Sequence, residues 1–424
     1  MSRSALRTGA ASLVATALAV LGYCWIWTNF KPTVFSHTRS DFSCFYRAGR
    51  MAADGNASRV YDLAAERQYD QQLGTSVVDG LGHSSSLPFV FPPYSLALLA
   101  PLSRLPYPAA ELCWYLINVA MLLALPFVLW KGAVQQAGAF AAALLAPVLF
   151  LPVMLALMQG QPSVLLLLLF AVVFRALMQG KDVRAGMALV VVTLKPQLAL
   201  PMLMALLVWR KWRALAAFVW TAAALAAVSV AIVGWRAVWE YPRALMKFNQ
   251  LAGSLGGEHP QSMPNLRGCI YLIWHNRLSI EAIAVLTAAL SLLLLAALAI
   301  LLKKRVAVSP AAFSLTIVVT LMVSYHAYLH DDSLLLLPVF LMTQQMQRDR
   351  WTTIRVALTS AMFLVPVLPI SLSATAVGMF AVMALLSTVL ALDLCNQIKG
   401  HASTENPPAS VWPGWGKRNL TPTP

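Results

Sequence analysis

The chain has 424 residues, of which 59% are hydrophobic and only 11% are charged, and its mean hydropathy is +0.70. About a quarter of the residues in a soluble domain are charged, so this composition excludes one and indicates a polytopic membrane protein. The formal net charge of +15 lies in short basic clusters between apolar runs, which is the positive-inside pattern and argues against a nucleic-acid partner.

The chain begins with a basic segment followed by an apolar run. Arg3 and Arg7 precede the first predicted span, residues 8–28, and keep its N-terminus in the cytoplasm. This start resembles a signal peptide, but the run continues through Trp25 and Trp27 without a small-residue cleavage site. We therefore interpret it as a retained span.

A first outer loop, residues 29–90, carries its own helical pattern. Gly55-Asn56-Ala57-Ser58 predicts a turn between two pieces of this loop. Both pieces are predicted to be short amphipathic helices that lie on the membrane surface. The apolar residues of this pattern are Phe42, Tyr46, Met51, Val60, Tyr61 and Leu63.

Asp41 opens this loop's Asp41-Phe42-Ser43-Cys44-Phe45-Tyr46-Arg47-Ala48-Gly49 stretch and is the candidate catalytic residue. A carboxylate held at the mouth of a membrane helix can accept a proton from a substrate hydroxyl as general base. The alternative is structural, because Asp is a favoured N-cap residue for the helix that follows. One side chain can serve both purposes.

The next segments alternate between short and full-length apolar runs. The run from Phe91-Pro92-Pro93-Tyr94 to Arg104 is too short for a span, which needs about 20 residues, so it predicts an interfacial or re-entrant helix. Full spans are predicted at 109–130, 136–157 and 162–179. The turn at residues 158–163 then lies outside, and the basic residues 181–184 lie inside.

Residues 185–209 contain a break that a single span does not explain. One crossing would place the basic Trp209–Arg213 run outside, against the positive-inside rule. The conflict disappears if Leu194-Lys195-Pro196-Gln197 is the tip of a hairpin of two short helices, because Pro196 breaks a helix. Lys195 would then lie deep in the protein, where an ionisable residue indicates function. The alternative is a snorkelling lysine.

The rest of the chain completes an all-α bundle of about twelve spans. A span at 214–233 leads to a second outer loop, residues 234–280. Residues 1–395 are predicted to form one membrane domain, with both termini cytoplasmic and a disordered tail at 396–424. The remaining predicted spans are 282–302, 311–327, 333–347, 354–370 and 373–394.

Polar groups from distant segments are predicted to converge on the outer face. A sugar donor on a lipid phosphate requires a base, cations for the phosphate and an apolar groove for the lipid. Asp41 would supply the base, and Lys195, Arg267 and His326 would stabilise the departing phosphate. The candidate residues for the donor's phosphate and sugar are Lys195, Gln197, Arg267, His326, Tyr328 and Gln161.

Each candidate has a structural alternative. Arg267 could contact lipid headgroups, His326 could be a hydrogen-bonded core histidine, and Gln161 could be a polar residue at a helix start. Asp331 and Asp332 fit an N-cap of the following helix better than a pair of metal ligands.

The five cysteines lie far apart and match no zinc or haem pattern. At least one must be unpaired, and a disulfide between Cys44 and Cys269 on the outer side is an alternative for two of them. We expect neither a metal nor another cofactor, because a lipid phosphate leaves readily and positioning with electrostatics suffices.

The order and spacing of the motifs resemble glycosyltransferase family 87, the polyprenyl-phosphate-mannose-dependent mannosyltransferases of the GT-C membrane fold. The resemblance runs over most of residues 8–395. It implies an inverting transfer of mannose on the outer face, with Asp41 as the base and His326 as the late-span histidine. It is carried by Asp41 with Phe45-Tyr46-Arg47-Ala48-Gly49, Val60-Tyr61, Phe91-Pro92-Pro93-Tyr94, Gly160-Gln161, Leu194-Lys195-Pro196-Gln197 and Tyr325-His326-Ala327-Tyr328.

We therefore predict a glycosyltransferase of a bacterial inner membrane. It would move a hexose, mannose by the resemblance, from a polyprenyl-phosphate donor to a lipid or glycan acceptor on the periplasmic face. The alternatives are a transporter or flippase for a lipid-linked glycan and a ligase that joins whole glycans. Only one broken helix is evident, at Lys195-Pro196, whereas transporters often have one in each half. A ligase would favour an arginine-dominated outer loop.

Overall fold

The computed structural model describes residues 41–75, 77–78, 84–85, 87–129, 144–250, 259–304, 308–344, 352–368 and 370–402. The predicted first span at 8–28 and most of the predicted tail lie outside these residues. The part of the chain that is described is helical apart from loops and one small antiparallel pair of strands, β1 Val77–Val78 and β2 Ser84–Ser85, in which Val77 faces Ser85. This agrees with the predicted all-α class.

Fifteen α-helices are numbered here in chain order. The first eight are α1 Phe42–Ala53, α2 Leu63–Leu73, α3 Leu96–Leu102, α4 Tyr107–Leu129, α5 Leu151–Met158, α6 Ser163–Met178, α7 Asp182–Val191 and α8 Pro196–Val208. The others are α9 Trp212–Gln250, α10 Leu266–Trp274, α11 Ile280–Lys303, α12 Pro310–Val323, α13 Leu336–Gln344, α14 Thr352–Leu364 and α15 Leu372–Ala402. Residues 144–149 are also helical, and short 3₁₀ turns include Val192–Leu194 and Asp331–Leu335.

Four of the described helices are long and apolar enough to cross a membrane, which makes this a membrane protein. Shorter apolar helices occupy other predicted spans, among them Ser163–Met178, Pro196–Val208 and Pro310–Val323. The four long segments are Tyr107–Leu129, Trp212–Met246, Ile280–Lys303 and Leu372–Gln397. The helix over the last predicted span ends at Ala402, so residues 396–402 are helical and not part of a disordered tail.

In the first outer loop, helix α1 does not lie on the membrane surface as predicted. Nine of the twelve residues of α1 are buried, although its sequence is amphipathic. The helix packs so closely against α3 that a Cβ added at Gly49 would lie 2.5 Å from the Leu99 carbonyl oxygen. The apolar face of α1 is therefore covered by protein and not by lipid. In contrast, α2 is exposed on one side and buries a mostly polar face.

A buried arginine holds the loop together. Arg47, on α1, has no exposed surface and forms ion pairs with Glu66 and Asp70 of α2, the latter at 2.6 Å. Its guanidinium also donates to the Leu87 carbonyl oxygen, and Glu66 accepts from the Phe89 amide at 3.0 Å. Burial raises the pKa of Glu66 to about 7, while Arg47 and the Phe89 amide act in the opposite direction. This network fixes α1, and therefore the adjoining Asp41, to the rest of the loop.

The predicted hairpin at Lys195 is confirmed. The backbone at Lys195 is non-helical, with φ −123° and ψ 87°, and Pro196 begins α8 directly after it. The two ends of the hairpin that are distant from Lys195 lie close together, because Lys211 Nζ is 3.1 Å from Asp182 Oδ1. Beside that pair, Gly186 approaches α9 so closely that an added Cβ would lie 2.0 Å from the Ala214 carbonyl oxygen.

The long helix α9 changes direction at Gly234. This residue has φ 81° and ψ 159°, a backbone conformation that glycine adopts without steric cost. The break lies directly after the predicted span at 214–233 and opens the predicted second outer loop. Beyond it, Trp235 and Trp239 are exposed and pack edge to face, with ring centroids 5.6 Å apart.

The described cysteines are all unpaired. Cys44, Cys113, Cys269 and Cys395 are free thiols, so the disulfide considered between Cys44 and Cys269 does not form.

We expect Arg47→Ala to lower the free energy of unfolding by about 3–5 kcal/mol, because it leaves two buried carboxylates without their cation. Thermal unfolding in detergent, together with the rate of proteolysis within residues 41–90, measures the effect. Arg50→Ala is the matched control on the same helix. Its exposed pair with Asp54 contributes about 0.5 kcal/mol or less. Equal losses in the two variants would contradict the assigned role of Arg47.

Candidate active site

Asp41 stands at the N-cap position of α1, but its side chain does not cap the helix. One carboxylate oxygen instead accepts a hydrogen bond from Gln161 Nε2 at 2.5 Å. The backbone amide of Phe42, the next residue, donates to the Gln159 carbonyl oxygen at 3.2 Å. The structural alternative of a simple cap is therefore wrong, because the carboxylate is held by the turn before α6 and not by the amides of α1.

The turn between α5 and α6 organises this end of the site. Gly160 has φ 65°, which allows the chain to reverse tightly between Gln159 and Gln161. The Gly160 carbonyl oxygen accepts from Trp114 Nε1 of α4 at 2.8 Å. The two glutamines are thereby presented to the same space as Asp41.

The second part of the site is a buried ion pair between the hairpin tip and the segment after α12. Lys195 Nζ lies 2.6 Å from Asp331 Oδ1, and Lys195 is only 7% exposed. Ser163, the first residue of α6, donates to the same Asp331 oxygen at 2.8 Å. The other oxygen of Asp331 accepts from the Tyr328 amide at 3.3 Å. Lys195 is therefore not a snorkelling residue, since its charge is matched inside the protein.

His330 lies between the two parts. Its Nδ1 is 2.7 Å from Gln159 Oε1, and its Nε2 is 3.3 Å from Lys195 Nζ. Burial lowers the pKa of His330, opposed by the neighbouring Asp331 carboxylate. A continuous polar path therefore runs from Lys195 through His330 to the turn that holds Asp41.

Burial raises the pKa of Asp41 above its usual range, and the neighbouring His330, the Gln161 hydrogen bond and Lys195 partly offset that increase. The Asp41 side chain is nevertheless only partly covered. A carboxylate of raised pKa that retains access to solvent is suited to accept a proton from a hydroxyl group.

The remaining predicted residues belong to the segment after α12 or contact it. Gln197 Nε2 donates to the His326 carbonyl oxygen at 3.0 Å, and the Tyr328 hydroxyl accepts from the His259 amide at 2.9 Å. The His326 ring packs edge to face against Tyr328, with centroids 5.0 Å apart. The Arg267 guanidinium lies 3.9 Å from the centre of the Tyr325 ring. His326 and Arg267, two of the residues predicted to bind the phosphate, therefore each contact an aromatic ring of the segment after α12.

Asn265 explains how α10 is held at the site. Its side-chain oxygen caps the helix by accepting from the Gly268 amide at 2.9 Å, while its Nδ2 donates to the carbonyl oxygens of Ser324 and Ala327. Arg267, two residues further on, is buried as a result.

All seven residues predicted for the site lie on segments that meet there. Asp41 contacts Gln161, Gln197 contacts the His326 carbonyl oxygen, and the His326 ring packs against Tyr328. Four polar residues of the site were not predicted to act in it: Gln159, Ser163, His330 and Asp331. Asp331 was interpreted as an N-cap, which is wrong: it opens a 3₁₀ turn without a side-chain cap and pairs with Lys195. Asp332 is also fully buried, and neither carboxylate oxygen has a hydrogen-bond partner among the described residues.

The described residues contain no group of three or more His, Cys, Asp or Glu side chains that could hold a metal ion. Asp331 pairs with Lys195 and Asp41 with Gln161, and we propose no metal ligand among the acidic residues of the site.

The fold and site are those of a helical membrane protein with a carboxylate and cations gathered at one end of the bundle. The profile of glycosyltransferase family 87 matches residues 89–324, more than half of the chain. The chain belongs to this family and is a glycosyltransferase. The match is shorter than the resemblance over 8–395, and it includes Gln161, Lys195, Gln197 and Arg267 but not Asp41. No curated protein and no solved structure matches the chain.

Asp331→Ala should lower the free energy of unfolding by about 3–5 kcal/mol, because it leaves the Lys195 ammonium buried without its carboxylate. We expect Lys195→Met to cost a similar amount, and the double variant Lys195→Met/Asp331→Ala to lose less than the sum of the two. Denaturant titration in detergent completes this double-mutant cycle. The pair Lys211–Asp182, with side chains 25% and 18% exposed, is the control and should couple by about 1 kcal/mol or less. Additive losses at Lys195 and Asp331 would refute the assigned pair.

Proposed function

We propose that this glycosyltransferase moves a hexose, mannose in the first instance, from a polyprenyl-phosphate donor to a hydroxyl group of a lipid or glycan acceptor. The observation that carries the proposal is Asp41, a partly buried carboxylate that the turn between α5 and α6 and His330 connect to the buried Lys195. A carboxylate and a cation are the two groups that a single displacement at a sugar phosphate requires.

In this reaction Asp41 accepts the proton of the acceptor hydroxyl as its oxygen attacks the anomeric carbon. The bond between that carbon and the phosphate oxygen breaks, and the polyprenyl phosphate leaves with the electron pair. One displacement inverts the anomeric configuration. The hydrogen bond from Gln161 holds the Asp41 carboxylate in place during the attack.

Lys195 is proposed to stabilise the charge on the leaving phosphate. An ammonium group has three N–H donors. Asp331 and the His330 ring accept two of them, and the proposal assigns the third to a phosphate oxygen. Arg267 and His326 would complete the phosphate site, and Gln197 supports it through the His326 carbonyl oxygen. The Tyr328 ring beside His326 would contact the sugar.

The basic residues support an outer-face location. Helix α6 starts at the site with Ser163 and leads to Lys181, and the Lys195 hairpin returns its ends to the Asp182–Lys211 pair. Basic residues therefore collect at the end of the bundle opposite the site. By the positive-inside rule that end is cytoplasmic, so we assign the site to the periplasmic face of a bacterial inner membrane.

We further propose the GT-C architecture with about twelve crossings and both termini in the cytoplasm. The support is that a helix occupies each predicted span that the described residues cover, together with the hairpin at Lys195. In this arrangement residues 1–395 form one membrane domain, and the second outer loop begins at Gly234.

Asp41→Asn should reduce transfer about 100- to 10,000-fold, because the acceptor hydroxyl loses its proton acceptor. The assay incubates purified protein in liposomes with radiolabelled polyprenyl-phosphate mannose or glucose and a total lipid extract. Binding of unlabelled polyprenyl phosphate should remain close to that of the wild type. Asp54→Asn at the far end of the same helix is the control and should transfer normally. Near-normal turnover of Asp41→Asn would reject the base assignment.

The pH profile gives a second test of Asp41. The base acts only when ionised, so kcat/KM falls as pH decreases through its pKa. Because that pKa is raised, the midpoint should lie above the usual value of about 4 for Asp. Gln161→Leu removes a hydrogen bond that stabilises the charged form, and it should shift the midpoint upward by up to about one pH unit. Gln179→Leu, at the other end of α6, should leave it unchanged. A downward shift in Gln161→Leu would contradict the assignment.

A further inference from the structure

His330 occupies the centre of the site but performs no step in the transfer proposed above. Its side chain is only 8% exposed, and the two ring nitrogens contact different parts of the site. Nδ1 lies 2.7 Å from Gln159 Oε1, on the side of Asp41, and Nε2 lies 3.3 Å from Lys195 Nζ, on the side of the proposed phosphate site.

The chemistry of the two partners defines one protonation state of the ring. A side-chain amide oxygen only accepts hydrogen bonds, so His330 Nδ1 must carry the proton that is shared with Gln159. An ammonium group only donates, so Nε2 must accept from Lys195. The neutral ring protonated at Nδ1 satisfies both contacts. A doubly protonated ring would direct an N–H group at the Lys195 ammonium.

The groups around the ring are consistent with this state. The Asp331 Oδ2 oxygen is the other charged group at Nε2, at 3.4 Å. That carboxylate already accepts from Lys195 and Ser163 through Oδ1 and from the Tyr328 amide through Oδ2. Asp331 therefore has partners without a protonated His330.

The connection to Asp41 runs through the turn between α5 and α6. Gln159 accepts from His330 through its side chain and from the Phe42 amide, directly after Asp41, through its carbonyl oxygen. Two residues later, Gln161 holds the Asp41 carboxylate. A displacement of the His330 ring would therefore move Lys195 through their direct contact. It would also move Asp41 through the turn that carries Gln159 and Gln161.

We propose that His330, as a neutral ring protonated at Nδ1, is a positioning residue that sets the distance between the phosphate-binding Lys195 and the base Asp41. Through Nε2 it orients the ammonium of Lys195, so that the remaining N–H group points at the donor phosphate. Through Nδ1 it orients the turn that carries Gln161. This inference rests on the proposed function, because it assigns roles relative to that reaction.

The two halves of the role can be separated by substitution. The amide of glutamine can place an oxygen close to the position of Nε2, and the amide of asparagine can place an N–H group close to the position of Nδ1. His330→Gln should therefore retain the acceptor for Lys195, and His330→Asn should retain the donor to Gln159. His330→Ala retains neither.

We expect His330→Ala to lower kcat/KM for the polyprenyl-phosphate sugar about 10- to 100-fold, as removal of a hydrogen bond to a charged group predicts. His330→Gln should restore KM for the donor towards the wild-type value but leave kcat low. His330→Asn should restore kcat more than KM. His275→Ala, at the exposed end of α10, is the control and should match the wild type.

Binding of polyprenyl phosphate without a sugar keeps this test separate from that of the proposed function. If the wild type transfers no hexose from any polyprenyl phosphate, the proposed function fails, but the binding assay still tests His330. In that assay His330→Gln should bind like the wild type, and His330→Asn about 10-fold more weakly. Equal losses in all three variants that follow their unfolding temperatures would overturn the inference, as would three unchanged variants.

Discussion

The buried pair of Lys195 and Asp331 is the interaction on which the site depends. The two residues are 136 positions apart in the chain, and they join the tip of a helical hairpin to the turn after α12. Removing two charges from water is costly, and their attraction compensates for it only when further hydrogen bonds satisfy both groups. Ser163, His330 and the Tyr328 amide supply those bonds, so the pair draws α6, the hairpin and the late segment to one point.

A second buried network gives the site its other half. Arg47 ties α1 to α2 and to the chain near Leu87, and this fixes the start of α1, where Asp41 stands. This network adds to the hydrogen bonds by which Gln161 and Gln159 hold Asp41 and Phe42 against the turn between α5 and α6. The two ion networks are separate, since Arg47 lies at the protein-covered face of α1 and Lys195 at the hairpin tip. The short turn between α5 and α6 connects them, because it contacts both the start of α1 and the residues around Lys195.

Much of the fold could be predicted from local signals. Hydropathy located the helices, the positive-inside rule required the hairpin at Lys195, and Gly234 falls where the predicted span ends. Asp41 and Gln161 could also be named as candidates, because acidic and amide side chains are unusual beside apolar runs, but their hydrogen bond could not be predicted. These features depend on a few neighbouring residues, which a single sequence contains.

The errors concern pairings over long distances. An amphipathic pattern in α1 does not tell whether protein or lipid covers its apolar face, and here the close approach at Gly49 decides for protein. Asp331 looked like a helix cap because Asp is common at caps, and nothing near it in sequence indicated Lys195. His330 gave no signal at all beyond its place in a polar segment. The family profile matches residues 89–324 and therefore reaches neither α1 nor His330 and Asp331, which the folded chain brings close to the matched part.

The kink at Gly234 divides α9 so that the part before it has a length close to the thickness of a bilayer. The straight part from Trp212 to Val233 is about 33 Å long at 1.5 Å per residue, close to the hydrocarbon thickness of about 30 Å. Exposed tryptophans stand at both of its ends, Trp212 on one side and Trp235 with Trp239 on the other. Indole rings prefer the headgroup level. The exposed tryptophans at the two ends of this straight part are thus spaced to match the two headgroup levels of a bilayer.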